Sequence, residues 1–425
     1  MVHATTRAPC RLGYLVPEFP GQTHVFFFRE LRALERIGVG VELMSTRPPD
    51  RSIAVHTQGL AWADRTTYLA SIGAARAAGL GARLLGKGPA LARWVRDCRA
   101  ADAEGGAKGA LATAIGAARL AALCKQRGVG HVHVHSCGRS ALIAAAAHRL
   151  FGVGYSVTLH GPLFDYGPAQ PLKWRDARFG LIITRRLIEA ARAELNGSLP
   201  ADVALAPMGV ETDAWQRDSP YQPWRGDGPL RLVSCGRLHE AKGHHVSIEA
   251  VRRLRAGGLR VELDVLGEDN TRCGYRQRLE AQIADAGLGE AVRLRGAVDE
   301  AGVRELEGAA HAFVLASQAE PLGVAIMEAM AMSLPVVVTS AGGVPELVDD
   351  GATGLMVEPE DPEATAQAIR RVAESAELAA SLSAAARASV ESRFSSDRSA
   401  TELVAACRRQ GIVLTESSNG EGPHG

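Results

Sequence analysis

Glu320-Pro-Leu-Gly-Val-Ala-Ile-Met-Glu328 sets two carboxylates at the ends of an otherwise apolar stretch. The run before it, His311-Ala-Phe-Val-Leu-Ala316, is apolar and β-prone and reads as a buried parallel strand. Ser317 to Glu320 read as a turn, and Pro321 suits the first position of a helix. That helix should run through Val324-Ala-Ile-Met-Glu-Ala-Met-Ala331 and stop near Ser333-Leu-Pro335, because proline disfavours a helical residue before it. Glu320 then sits at the mouth of a strand-to-helix loop, with Glu328 on the helix. Carboxylates are seldom set among apolar residues without a partner, and the hydroxyls of a polyhydroxylated ligand would supply one for each.

The same unit repeats along the chain. Short β-prone runs alternate with alanine-rich helical stretches, which indicates an α/β architecture with parallel sheets. In the first half the strand candidates are Arg11–Val16, Val39–Met44, His131–His135, Tyr155–Leu159, Leu181–Thr184 and Val203–Ala206, with a helix through Phe26–Arg36. In the second half they are Leu230–Cys235, Val261–Leu266, Val292–Leu294, His311–Ala316 and Pro335–Thr339. This divides the chain into an N-terminal domain at 1–209, a linker at 210–229 and a C-terminal domain at 230–390. A helix at 391–412 is expected to cross back to the first domain, and 413–425 is polar and glycine-rich, expected to be disordered.

Residues 68–127 are a helical insertion, broken at Gly86-Lys-Gly-Pro89 and Gly105-Gly106. Arg76, Arg83, Arg93, Arg96 and Arg99 are spaced along it, so a basic surface resting on anionic lipid is one reading. A helical pair packed on the first sheet with its arginines in water is favoured, since alanine and glycine make a poor membrane face.

Composition excludes several classes. A chain of 425 residues has room for two domains, and 46% hydrophobic with 22% charged residues is the balance of a folded protein. Lys plus Arg (48) nearly equals Asp plus Glu (47), so no overall field points to nucleic acid. Seven scattered cysteines without a Cys-x-x-Cys argue for a reducing cytosol and against a disulfide framework or thiolate zinc site. Met1-Val-His-Ala-Thr-Thr-Arg-Ala-Pro9 lacks an apolar core of signal-peptide length, and no uncharged apolar run is long enough to span a bilayer. The expectation is a cytoplasmic protein, with peripheral contact at the inner face of the plasma membrane left open.

Gly236-Arg-Leu-His-Glu-Ala-Lys-Gly243 directly follows the first strand of the second domain. A glycine there lets the backbone approach a diphosphate, and Arg237 and Lys242 bring two positive charges to it. Such cations stabilise a departing phosphate more in the transition state than in the ground state. Gly323 and Val324, with Leu322 beside them, open the helix after Glu320, where backbone N–H groups lack helical partners and can donate to a distal phosphate. Ser340-Ala-Gly-Gly-Val-Pro-Glu346 is a further strand-to-helix loop, its glycines permitting a sharp turn. His131-Val-His-Val-His135 puts three imidazoles on one strand face, but at about 7 Å per two-residue step they are too far apart to share one ion. No metal site is expected.

The glutamate pair and the Gly-Arg-x-x-x-x-Lys-Gly spacing resemble retaining glycosyltransferases of the GT-B fold, in family four. The resemblance is strongest over residues 230–360. It implies two doubly wound Rossmann-like domains facing across a cleft. It also implies a sugar transferred from a nucleotide-sugar, such as a UDP- or GDP-hexose, with retention and without a metal or other cofactor. Carried over, Glu320 contacts the donor sugar, Glu328 the ribose, and Arg237 and Lys242 the diphosphate. His160, in the His160-Gly161 that ends a first-domain strand, reaches across the cleft to the sugar. The loops holding Gly267 and Val298 would hold the base. Asp165 and Tyr166 are candidate acceptor contacts, with Gly21, Gln22 and Thr23.

Phe19-Pro-Gly-Gln-Thr-His-Val-Phe26 departs from the family's glycine pair and resembles a subgroup of bacterial exopolysaccharide and colanic-acid-type enzymes. That points to a polyprenyl-linked glycan as acceptor. Two alternatives stand beside it: an enzyme acting on a soluble small molecule, and a silent nucleotide-sugar-binding scaffold subunit.

Overall fold

The computed structural model describes residues 9–20, 25–49, 62–70, 74–269 and 273–416. The chain folds as two compact units, Met1–Pro207 with Ser399–Gly425, and Met208–Arg398.

The first unit is built on β1 (Arg11–Glu18), β2 (Val41–Arg47), β3 (Thr67–Tyr68), β4 (Val129–His135), β5 (Tyr155–Leu159), β6 (Gly180–Ile182) and β7 (Val203–Leu205). They form one sheet in the order β3-β2-β1-β4-β5-β6-β7, every pairing parallel. The second unit repeats the plan with β8 (Leu230–Cys235), β9 (Val261–Leu266), β10 (Val292–Gly296), β11 (Ala312–Leu315), β12 (Val336–Thr339) and β13 (Leu355–Val357), in the order β10-β9-β8-β11-β12-β13 and again parallel. Both are doubly wound sheets whose strand order reverses once, between β1 and β4 and between β8 and β11. Ligands of such sheets bind outside the carboxyl ends of the strands at that reversal. The short β3 and β13 were not expected from the sequence, because two or three residues carry no readable periodicity.

Each sheet buries an aliphatic core. Leu12, Tyr14, Val16, Phe27, Leu31 and Leu34 anchor the first, and Leu232, Ile248, Val251, Leu263, Val265 and Val314 the second. Three helix starts in the second unit are set by side-chain caps. Asp299, Asp361 and Ser375 accept from the backbone N–H three residues on, and Pro362 fills a first-turn position that needs no donor.

Residues 210–229 are not a linker but part of the second unit. Val210 and Trp215 are buried, and Tyr221 and Trp224 pack on its core. The Tyr221 hydroxyl donates to the His311 carbonyl at 2.8 Å, and Arg387 donates to the Thr212 carbonyl at 3.0 Å. Aromatic area outweighs the proline and glycine that suggested an open connection.

At the other end, the helix Ser396–Arg409 returns the chain to the first unit, where Ala400, Leu403, Ala406 and Cys407 join the core. Residues 413–416, expected within a disordered tail, are ordered. Leu414 bridges Cys10, and Thr415 N–H donates to the Cys10 carbonyl at 2.9 Å. The rest of that tail lies outside the described residues.

The insertion forms helices Ala74–Leu85, Gly88–Ala100 and Gly106–Arg127. Trp94 and Cys98 point inward, while Arg83, Arg93, Arg96 and Arg99 are exposed. Gly106–Arg127 is, among the described residues, the one helix long and apolar enough to cross a membrane by length and composition. Its Ala110, Ala114, Ala117 and Leu120 are buried within the unit.

Candidate functional site

The loops after β8, β9, β11 and β12 are held together by glycines that bring backbone against backbone. Gly236 N–H donates to the Leu266 carbonyl at 2.9 Å, and Gly267 N–H to the Gly296 carbonyl at 2.8 Å. Gly267 has φ +143°, and a Cβ there would lie 1.9 Å from the Gly236 oxygen. Gly243 has φ +63°, with its would-be Cβ 1.7 Å from the Ala316 carbonyl oxygen. Only glycine fits such places. Gln318 N–H then donates to the Ala241 carbonyl at 2.9 Å, tying the loop after β11 to the loop after β8 across the reversal in strand order.

Glu320 is held by its backbone on the far side. Its carbonyl accepts from Gly343 N–H at 2.9 Å, and a Cβ on Gly342, at φ +59°, would lie 2.1 Å from that same oxygen. The Gly342-Gly343 pair, which the sequence suggested only as a turn, therefore sets the height of the glutamate loop. The Glu320 side chain is buried and ion-paired with Lys242 Nζ. The two charges lie far apart in sequence, and the loop geometry joins them.

Helix Val324–Ala331 begins three residues later than Pro321 suggested. Gly323 takes φ +107° as its N-cap, a left-handed turn that ends the extended segment, so Pro321 lies in the loop. Leu322 is buried, and Val324 is half-buried. Glu328 is buried on the helix, 7% exposed. It stands near the end of β8: burial pushes the Cys235 thiol upward, the charges of Glu328 and Glu307 add to this, and Lys242 opposes them. Arg237 is exposed and makes no ion pair with any described residue. Val298 is half-buried between β10 and the helix Glu300–Ala309.

One member of this loop cluster escaped the sequence. His244 is fully buried, with Nε2 3.3 Å from the Gly236 carbonyl oxygen and Nδ1 3.3 Å from Ser234 Oγ. Burial lowers its pKa to about 4, so it is neutral and holds the glycine loop without adding charge. Its place directly after Lys242-Gly243 was the available signal.

In the first unit, His160 follows β5 and is half-buried. Its Nε2 lies 3.0 Å from His135 Nδ1, and its ring stands among Phe26, Phe27 and His135. The strand histidines find hydroxyl partners. Ser156 Oγ lies 2.8 Å from His131 Nε2 and 2.7 Å from His133 Nδ1, and Thr158 Oγ1 lies 2.7 Å from His133 Nε2. Burial lowers His131 to about 3 and His133 well below the usual range. Among the described residues no group of three or more His, Cys, Asp or Glu is arranged to hold a metal ion.

Asp165 and Tyr166 lie in the 3-10 helix Leu163–Tyr166, Asp165 exposed and Tyr166 half-buried. Beside them Phe164 is 76% exposed. Gly21, Gln22 and Thr23 lie outside the described residues.

Comparisons with known proteins bear on the family and the fold. Residues 221–389 match the family Glycosyl transferases group 1. The chain is 32% identical over 219 residues to the colanic acid biosynthesis glycosyltransferase WcaL of Salmonella typhimurium, covering 50% of this chain and 52% of that protein. It is 33% identical over 196 residues to the amylovoran biosynthesis glycosyltransferase AmsK of Erwinia amylovora, covering 44% and 46%. The chain thus matches about half the length of these curated relatives. Among solved structures, a glycosyltransferase from Rickettsia africae superposes with a TM-score of 0.71 at 17% identity, covering 95% of this chain and 99% of that one. Anabaena Alr3699/HepE, solved in complex with UDP, superposes with a TM-score of 0.71 at 16% identity, covering 94% and 100%. These neighbours have the GT-B fold, and the two parallel-sheet α/β units of this chain share it.

Proposed function

We propose, from the match of residues 221–389 to the family Glycosyl transferases group 1, that the chain transfers a sugar from a nucleotide-sugar to an acceptor hydroxyl with retention of configuration. The observation that carries the proposal is the Lys242–Glu320 ion pair, held between glycine-built loops at the β8/β11 reversal. A diphosphate entering beside Gly236 would take Lys242 from Glu320, and Arg237 already stands exposed to meet it. Glu320, released from its cation, would accept from sugar hydroxyls, and Glu328 would accept from the ribose.

In the transfer step the bond from the anomeric carbon to the phosphate oxygen breaks as the acceptor oxygen bonds to that carbon on the same face. The acceptor's proton passes to the departing phosphate oxygen. Arg237, Lys242 and the helix N-terminus at Gly323 and Val324 stabilise the charge that develops there, the work a divalent cation would otherwise do. His160 is proposed to contact the donor sugar.

The acceptor is proposed to be a polyprenyl-linked glycan of exopolysaccharide or envelope assembly, handled at the cytoplasmic face of the membrane. The names of the similar proteins and the exposed Phe164 beside Asp165 support it.

Incubating the purified protein with UDP-, GDP- and ADP-sugars tests the reaction class. Slow donor hydrolysis, with a rise in melting temperature for one donor, is expected. Tight nucleotide binding without hydrolysis or transfer from any donor would leave a silent binding subunit. Sedimentation with acidic liposomes, lost when Arg83, Arg93, Arg96 and Arg99 are neutralised, tests the membrane-side acceptor. No sedimentation would favour a soluble one.

A further inference from the structure

The first unit holds a buried carboxylate that the family resemblance did not assign. Glu30 lies on helix Val25–Arg36 among Phe27, Phe28, Leu31 and Leu34 and is 8% exposed. Tyr14 of β1 donates its hydroxyl to Glu30 Oε2 at 2.7 Å, and Ser399 of the returning helix donates to Oε1. His135 Nε2 lies 3.2 Å from Glu30 Oε2, and His135 Nδ1 lies 3.0 Å from His160 Nε2. Carboxylate and two imidazoles thus form a line of contacts ending at His160.

We infer that Glu30, acting through His135, is a positioning residue that sets the tautomer of His160. The argument is a count of protons. An ionised carboxylate only accepts, so it favours a proton on His135 Nε2. The nitrogens facing each other across 3.0 Å hold one proton between them. A neutral pair therefore carries Nε2–H on both rings, and His160 Nδ1 is an acceptor. One more proton has a single nitrogen left to occupy, His160 Nδ1. Glu30 thereby leaves His160 Nδ1 as the acceptor of the neutral pair.

The surrounding groups keep this assignment. Burial opposes the charge on Glu30, but His135 beside it and the Ser399 hydroxyl hold its pKa down at about 2. Tyr14 is raised by burial and then by Glu30, so it stays a neutral donor. His133 of β4 is pushed well below its usual range by burial and donates no charge. Ser156 and Thr158 of β5 take up its two ring nitrogens. Phe26 and Phe27 flank the His160 ring.

Only the consequence for turnover rests on the glycosyl-transfer proposal. The inference itself is decided by imidazole 15N NMR on labelled full-length protein, wild type against Glu30→Gln. In wild type both His135 and His160 should be Nε2–H tautomers at high pH. In Glu30→Gln the amide both donates and accepts, so His160 should show a mixture including Nδ1–H. kcat/KM for the donor should fall with that mixture.

An unchanged His160 tautomer in Glu30→Gln would overturn the inference. If that variant does not fold, His135→Gln replaces it, and a His160 identical to wild type there overturns the inference equally. Wild-type protein inactive on every donor, with the NMR change present, would reject the glycosyl-transfer proposal and leave Glu30 in its role.

Discussion

Lys242 and Glu320 meet as a buried ion pair although 78 residues separate them, because Gly243 lets the loop after β8 touch the backbone of the loop after β11. The pair occupies the place where the diphosphate and donor sugar are proposed to bind, so on that proposal substrate and protein would compete for the same cation.

Lys242→Ala removes that cation. Turnover should fall about a hundredfold or more, since charge stabilisation of the leaving group is lost. Stability should fall by about 2 kcal/mol, because Glu320 is left buried without its partner. Single-turnover kinetics and urea unfolding read the two effects. Unchanged turnover would place the diphosphate elsewhere.

The two glutamates should separate by kinetics. Glu328→Ala should raise the dissociation constant for the free nucleotide. Glu320→Gln should leave nucleotide binding within a few-fold and depress turnover on the sugar donor. Calorimetric titration with the nucleotide, beside donor kinetics, distinguishes them, and equal effects on both would contradict the assignment.

Glycine substitutions should divide by what lies against the missing Cβ. Gly258 has φ +85° with open space around it, and Gly258→Ala should cost only about 1 kcal/mol. Gly243→Ala drives its Cβ into the Ala316 carbonyl and should cost about 3 kcal/mol or more, separating Lys242 from Glu320. Similar melting temperatures for the two variants would reject the close approach.

Acid should destabilise in two stages. Burial lowers His131 to about 3 and His244 to about 4 from 6.5, so the unfolded chain binds protons first. Their stabilisation is complete above about pH 6.5 and is lost as pH falls toward 4 and then 3. Glu30, lowered from 4.5 to about 2, contributes above about pH 4.5 and loses that contribution as pH falls toward 2. Melting temperature against pH should slope downward below 6.5. In Glu30→Gln it should lose its extra steepening below 4.5.

Ending the chain at Arg398 removes Leu403, Ala406 and Cys407 from the first core and the Ser399 hydroxyl from Glu30. The first unit should then melt earlier or not fold, while the second keeps its transition. Differential scanning calorimetry of the truncated chain should show the second transition alone or the two well separated.

Much of this was legible in the chain. The strand His311–Ala316, the loop and the helix through Glu328 appear nearly as read, because period and turn residues are local properties. The α/β class followed from the alternation of such units. Residues 210–229 misled because proline, glycine and charge suggest an open connection, while the burial of Trp215 depends on partners far along the chain. Glu30 was missed because it is a charged residue in an amphipathic helix, and only its register with Phe27 and Leu34 marks it as buried.

The sequence by itself determined the local units, their parallel α/β class and the residue types of the candidate site, since hydrophobic period and glycine placement act over a few neighbours. Only the tertiary structure decided the pairings: Lys242 with Glu320, Gly342 under the Glu320 backbone, and Glu30 with His135, Tyr14 and Ser399. Those depend on which strand ends lie beside one another. Strand order is settled by how helices cover a whole sheet, and no local stretch of residues records it.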